Sequence, residues 1–270
     1  MKKLVVVDYS QLEVVELAHC IAKLFGPDDT LVKMVRDGRD IHGPLAKRAF
    51  GELANDQEVA NAIIEMRDTP KGPKEYNEFK LVPKLKLLRD LGKAGIYGNN
   101  YGKGKKGFAT SVFLPDGSPL GDRRAELLVD GLNDLYPGIK CYQEFIRDFI
   151  ERHGLIISLY GRWMPLPNAR AQQRGLRNRA WRQALNYPMQ AGGQEIMALA
   201  LIAIHANQRL KELGYELLMV IHDEILGMAP EENAVEALSI VELIMVEVVE
   251  LLAPLKAEGA TGDNWKDTKK

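Results

Sequence analysis

Two carboxylates in this sequence stand where charge is costly. Asp8 ends the apolar run Leu4-Val5-Val6-Val7, and Asp223, with Glu224 beside it, separates the apolar runs 217–221 and 225–228. These runs have the length and composition of buried strands, which makes 222–224 a tight turn. If the first strand and this hairpin are neighbours in one sheet, Asp8 and Asp223 converge, and converging carboxylates either share a proton or hold a cation. Two divalent ions held that way, roughly 3.5–4 Å apart, steady the attacking and leaving oxygens of a phosphoryl transfer. Taken singly, each acid has an ordinary account: Asp223 as a turn residue, Asp8 as a helix-flanking cap, and Glu13 as the acid of a capping box, Ser10-Gln11-Leu12-Glu13.

A second set, Arg89, Lys93, Tyr97 and Tyr101, is spaced by four. On a helix each such step drifts only about 40°, so two cations and two aromatics form one stripe. Cations hold a polyphosphate and a ring stacks on a base; a solvated basic face with tyrosines on the core has the same spacing. Gly92, Gly95 and Gly98 interrupt this helix at about 1 kcal/mol each relative to Ala, which implies that something approaches the backbone closely there. A third set is Arg182, Asn186 and Gln190, with Pro188 expected to break the helix between the last two. Long polar donors there suit the minor groove of a duplex, where base pairs of any sequence offer acceptors at equivalent places.

Charge supports a polyanion partner despite a net of −1 from 36 basic and 37 acidic residues. Residues 80–107 hold eight basic side chains against one acid, and 162–182 hold six arginines and no acid. Arginine forks pair with phosphate oxygens in two-point contacts. With 270 residues, 46% hydrophobic, the chain can bury one large core or two smaller ones, which excludes a disordered or collagen-like polymer. No apolar run approaches the roughly 18 residues of a membrane span, and the charge at Asp8 comes too soon for a signal peptide, so a cytoplasmic location and no membrane partner are expected. Cys20 and Cys141, on unrelated segments, read as two small buried hydrophobes rather than a disulfide or zinc site.

The elements that must position these sets follow from periodicity. A strand at 4–7 leads into a helix to about 25, and 26–80 reads as helical stretches broken at Gly26-Pro27, at Gly43-Pro44 and by a loop at 69–73. A helix is expected at 83–101 and another at 137–152, then a hairpin at 155–166, a helix after Pro188 to about 213, the strand pair around Asp223, and an amphipathic helix at 232–252. The last helix should bury Val235, Leu238, Val241, Ile244, Val248 and Leu252. Strands near both ends around a helical middle give an α+β fold whose middle is an insertion.

Together the motifs resemble the polymerase core of family A DNA polymerases, the DNA polymerase I type, with closest likeness to bacteriophage members. Asp8-Tyr9-Ser10-Gln11-Leu12-Glu13 resembles motif A, Arg89-x-x-x-Lys93-x-x-x-Tyr97-Gly98-x-x-Tyr101-Gly102 motif B, and His222-Asp223-Glu224 motif C. Asp40-Ile41-His42, Tyr136-Pro137-Gly138, Asn186-x-Pro188-Met189-Gln190 and Gly262-Asp263-Asn264-Trp265 match as well, in the family's order.

The resemblance implies an antiparallel palm sheet with inserted helical fingers: palm at 1–25 and 151–270, fingers at 26–150. It implies a template-directed polymerase that adds deoxynucleoside triphosphates to the 3′-hydroxyl of a primer-template DNA. Asp8, Asp223 and the Tyr9 carbonyl would hold two Mg2+ ions, with Glu224 an accessory carboxylate. Arg89, Lys93 and His42 would grip the triphosphate, Lys93 also giving a proton to the departing pyrophosphate. Glu13 and Gln11 would line the nucleotide pocket, Glu13 as a gate against a ribose 2′-hydroxyl. Tyr97 would pack on the incoming sugar and base, and Tyr101 would shape the templating pocket. Arg182, Asn186, Gln190 and His222 would contact the DNA. Val15 and Val220 depart from the arginine and glutamine common at these places. In the family the thumb, the first palm strands and the exonuclease precede motif A, which starts here at Asp8, so a separately encoded N-terminal partner or a truncation is expected. A single-subunit RNA polymerase-like enzyme, against which Glu13 and Glu224 argue, and a catalytically silent DNA-binding or replisome module are the competing readings.

Overall fold

The structure is a computed structural model that describes residues 1–50, 83–114 and 117–269. The loop expected at 69–73 lies outside the described residues. The described chain forms two compact units, each drawn from separated stretches of sequence.

The first unit comprises Met1–His19, Ser158–Arg162 and Pro188–Lys270. Its centre is a four-stranded antiparallel sheet of β1 (Lys2–Tyr9), β4 (Glu216–Ile221), β5 (Glu224–Pro230) and β6 (Ala257–Gly262), in the order β4-β5-β1-β6. β1 is one of the two inner strands, and Val5, Val6 and Val7 are all buried, so both of its faces are covered. A helix, α10 (Ala234–Glu247), packs on β1 and β6. It does so through Ala234, Ala237, Val241 and Met245, while Val235 is 68% exposed. Val241 is buried as expected and Leu238 lies against Gly259 of β6, but the fully buried places beside them are taken by Ala234, Ala237 and Met245, the small alanines letting the helix approach closely; Glu242, expected to face outward, instead accepts the Gly259 N–H at 2.7 Å. A short helix, α9 (Gln208–Glu212), precedes β4.

The second unit comprises Cys20–Ile157 and Trp163–Tyr187. Its described helices are α2 (Thr30–Arg36), α3 (His42–Phe50), α4 (Pro83–Asn100), α5 (Lys105–Ser111), α6 (Asp122–Leu135) and α7 (Pro137–His153), followed by the hairpin β2 (Leu155–Ile157) and β3 (Trp163–Pro165). Two further helices, α1 (Leu12–Phe25) and α8 (Arg174–Ala206), contribute residues to both units. The α+β architecture and the antiparallel sheet agree with the sequence reading. Along the sequence the two units alternate in five stretches.

Local expectations were met in places and overturned in others. α7 opens at Pro137, whose missing N–H costs nothing in a first turn, and closes at Gly154 with φ 69°. Gly43-Pro44 does not break a helix but lies in the first turn of α3, for the same reason. Pro188 does not break one either: α8 runs unbroken for 33 residues, with Ala184, Leu185 and Met189 buried around the proline. Burial there outweighs the roughly 3 kcal/mol that a mid-helix proline costs. The capping box does not form. Gln11 is left-handed at φ 57°, so α1 starts at Leu12, the Ser10 N–H donates to the Lys256 carbonyl at 2.8 Å, and Glu13 is bonded elsewhere. Cys20 is buried as expected, whereas Cys141 is exposed on α7.

Candidate active site

In the first unit the sheet brings the paired carboxylates together. β1 lies beside β5, with Asp8 in register with Glu224, and the Tyr9 N–H donates to the Asp223 carbonyl at 3.1 Å. Asp223 is thereby fixed at the mouth of the two-residue turn His222-Asp223, whose first residue sits at φ 56°. A histidine in that left-handed region is strained where glycine would be comfortable, a kind of strain that clusters at functional sites. The Asp8 carboxyl is pushed up to about 6, first by the loss of surrounding solvent, then by the charges of Asp223 and Glu224 and a hydrogen bond with Asp223; Lys269 pulls the other way. Glu224 is buried and held by two donors, Trp265 Nε1 at 2.8 Å and Lys269 Nζ. Tyr9 is anchored by its hydroxyl, which donates to the Met245 carbonyl at 2.7 Å.

Alongside lies a cavity of about 420 Å³ lined by Leu12, Glu13, Glu16, Gln190, His222 and Asp223 among others. Glu13 and Gln190, which the sequence placed in separate sets, meet across it: the Gln190 amide donates to Glu13 Oε1 at 2.5 Å. Gln11, expected in the nucleotide pocket, sits at the strand-to-helix junction just before Leu12 and does not line this cavity. Among the described residues no group of three or more His, Cys, Asp or Glu is preassembled for a metal ion. The oxygen donors that exist are the crowded pair Asp8 and Asp223, hard ligands whose mutual repulsion a divalent cation relieves, so the donor set fits Mg2+.

In the second unit the stripe on α4 is real from Arg89 to Tyr97. Arg89 donates to buried Asp40 through Nη2 at 3.1 Å and Nε at 3.4 Å. Asp40 also accepts the N–H groups of His42 at 3.3 Å and Gly43 at 2.9 Å, capping α3. Burial alone would raise the Asp40 carboxyl; Arg89, then His42 and the Gly43 N–H, hold it below its ordinary value instead. The buried His42 ring lies 6.1 Å from the Tyr97 ring, and the exposed Lys93 places Nζ 5.7 Å from that ring. The glycine expectation is met by packing: a Cβ at Gly92 would lie 2.4 Å from the His42 carbonyl, and Gly95 and Gly98 meet Leu128 and Phe108. Tyr101 follows α4 in a turn closed onto the Tyr97 carbonyl at 3.1 Å. Next to it Gly102, at φ 73°, leaves room for the stem of exposed Arg182. Asn186 is half-buried one turn further along α8.

The sequence reading assigned no role to Asp40, Trp265, Lys269 or Glu16. Asp40 had a signal: an acid two residues before His42-Gly43-Pro44, where α3 starts, is a helix cap. The other three gain their surroundings only from long-range packing.

Comparison with known proteins decides the family. The model of DNA polymerase family A matches residues 74–267. The chain belongs to this family. Its similarity to curated relatives also takes in the Asp8 segment: it is 27% identical to the thermostable DNA polymerase I of Thermus thermophilus over 98% of its length, and 29% identical to DNA polymerase I of Deinococcus radiodurans over 98%. It spans 27% and 24% of those two proteins, about a quarter of the length of the relatives it matches. Among solved structures it resembles the POL domain of Pol1 from M. smegmatis, determined with DNA primer-template and dNTP, at a TM-score of 0.74 and 26% identity, over 97% of this family A chain and 40% of that one. Among the described residues, no helix is long and apolar enough to cross a membrane.

Proposed function

We propose that the chain forms the palm and fingers of a template-directed DNA polymerase, the first unit being palm and the second fingers. The observation that carries this reading is the meeting of Asp8 and Asp223 at adjacent strand ends, 215 residues apart in sequence, in a family A chain. Asp8, Asp223 and the Tyr9 carbonyl would hold two Mg2+ ions, which when bound supply charge stabilisation to the attacking and leaving oxygens. Lys93, exposed and charged, binds the triphosphate and gives a proton to the pyrophosphate oxygen. Arg89 and His42 complete that grip, both positioned by Asp40. Glu13, fixed by the Gln190 amide, closes the space a 2′-hydroxyl would need. Tyr97 packs on the incoming sugar and base, Tyr101 shapes the templating pocket, and Arg182, Asn186, Gln190 and His222 contact the primer-template. Glu224, already neutralised by Lys269, supports Asp8 and Asp223 rather than acting as a principal ligand. The Tyr97 hydroxyl eases acceptance of dideoxynucleotides; in competition assays Tyr97→Phe should discriminate against them more strongly, and unchanged discrimination would refute the role.

The proposal includes a partner. β4 is an edge strand with Leu217, Leu218, Met219 and Val220 all 38–53% exposed, an apolar edge that a soluble protein ordinarily covers. A thumb-bearing polymerase segment, on a separate chain or on the same polypeptide, would cover it.

The test is primer extension on a defined primer-template with Mg2+ and deoxynucleotides, by the chain alone and by Asp223→Ala. Extension that the substitution abolishes supports polymerase chemistry in this chain. No extension by the chain alone, together with none when a co-purifying partner is restored, refutes the proposal in favour of a silent module.

A further inference from the structure

Glu16 stands one helical turn beyond Glu13 on α1 and is 0% exposed, and neither of its carboxylate oxygens meets a hydrogen-bond partner among the described residues. An ionised carboxylate in that condition is among the costliest things a protein can bury. The room for it is made by a glycine pair on α8. A Cβ at Gly192 would lie 2.3 Å from Glu16 Oε1, and one at Gly193 would lie 3.5 Å from Oε2. Three residues after Gly192, on the same face of α8, comes Glu195, one of the two acids whose charge acts on Glu16. Glu195 is itself buried. Its Oε1 accepts from Ser158 Oγ at 2.8 Å and pairs with Arg162 Nε at 3.3 Å, while its Oε2 has no partner among the described residues. Three buried carboxylate oxygens on these two side chains thus lack a donor among the described residues.

We propose that Glu16 is a positioning residue held as a neutral acid, its O–H shared with Oε2 of Glu195, so that the two carboxyls carry one charge, which Arg162 balances. The shared proton joins α1 to α8 directly behind Glu13 and Gln190. Through Ser158 and Arg162 it also fastens the segment Ser158–Arg162. The charged and titratable groups facing Glu16 are Glu13 on its own helix, Glu195 on α8, and Tyr160 and Arg162 on that segment; His222 and Asp223 line the same cavity. Burial first, and then Glu13 and Glu195, push the Glu16 carboxyl up to about 9 from an ordinary 4.5. A raised carboxyl stabilises the fold fully below its unfolded value, and that contribution declines as pH climbs and is gone above about 9. Ionisation at high pH places a second negative charge against Glu195, loosening the helix pair and with it the Glu13–Gln190 bond.

The bearing of this pair on sugar selection rests on the polymerase reading; its titration does not, and can fail separately. The experiment is a pH titration of the whole chain by NMR, with 13C-carboxyl glutamate and 15N-amide glutamine labels. One carboxyl should titrate near 9, vanish in Glu16→Gln, and move down by about one pH unit or more in Glu195→Gln. The Gln190 amide should shift with the same midpoint in the wild type and not in Glu16→Gln. Urea unfolding should show the wild type losing stability between about pH 5 and 9 relative to Glu16→Gln. A wild-type spectrum in which every glutamate titrates in the ordinary range overturns the proposal, as does a high midpoint that Glu195→Gln leaves unmoved. Should Glu16→Gln fail to fold, the Glu195→Gln midpoint alone decides.

Discussion

Asp40 in the second unit and Glu16 in the first are carboxyls of 2% and 0% exposure, and their surroundings drive them in opposite directions. Asp40 faces a guanidinium and two backbone N–H groups, so it stays ionised despite burial. Glu16 lies near two other acids, and neither of its oxygens has a hydrogen-bond partner among the described residues, so it is pushed toward the neutral form. The same contrast separates the two functional clusters. In the second unit Arg89 and Asp40 are already paired, and Lys93, one helical turn on, is exposed. In the first unit like charges are crowded at Asp8, Asp223 and Glu224, with Lys269 set against them, an arrangement that suits the cation proposed there. Burial thus does not by itself set a charge state; the nearest hydrogen-bond donor does.

The largest expected effect tests the unmatched cluster. Replacing Asp8 or Asp223 with Asn should cost about 4 kcal/mol or more of transition-state stabilisation, roughly a thousandfold in extension rate. Because the two act as a unit, the double substitution should cost little more than either alone in single-turnover kinetics; full additivity would break the comparison. Next comes the matched cluster. Asp40→Asn strands the Arg89 charge in a largely buried place and should destabilise the fold by about 3 kcal/mol in urea unfolding at neutral pH. Asp40 is held below its ordinary 3.8, so this advantage of the wild type is present above that value and fades as pH falls below it. An advantage that instead faded at alkaline pH would mean the two buried acids do not differ as described. A smaller effect probes the scaffold: Gly92→Ala puts a methyl 2.4 Å from the His42 carbonyl, and should cost about 2 kcal/mol while lowering affinity for deoxynucleotides.

Much of the second unit's stripe was legible because its residues share one helix. Four-residue spacing fixes which side chains share a face whatever the rest of the chain does, and the three glycines announced close packing before any partner was known. Single-residue cues misled where packing overrode them. Pro188 signals a break, but the buried turns around it keep α8 whole. On the helix at 234–247 the expected Val241 is buried, but Ala234 and Ala237 rather than Val235 fill the places closest to the sheet. Ser10-Gln11-Leu12-Glu13 has the letters of a capping box, but Gln11 is left-handed and Glu13 is taken by Gln190.

By itself the sequence determined where charge had to be costly: Asp8 at the end of an apolar strand, Asp223 in an apolar hairpin, and an Arg-Lys-Tyr stripe on one helix. These follow from local geometry, which repeats every two or 3.6 residues and needs no knowledge of distant chain. Only the tertiary structure decided that β1 pairs with β5, which sets Asp8 beside Asp223. It alone placed Asp40 on Arg89 and sealed Glu16 against Gly192 and Glu195. Those outcomes join residues up to 228 positions apart, and the free energy that selects them comes from burying whole faces of helix and sheet, a quantity that no short stretch of sequence contains.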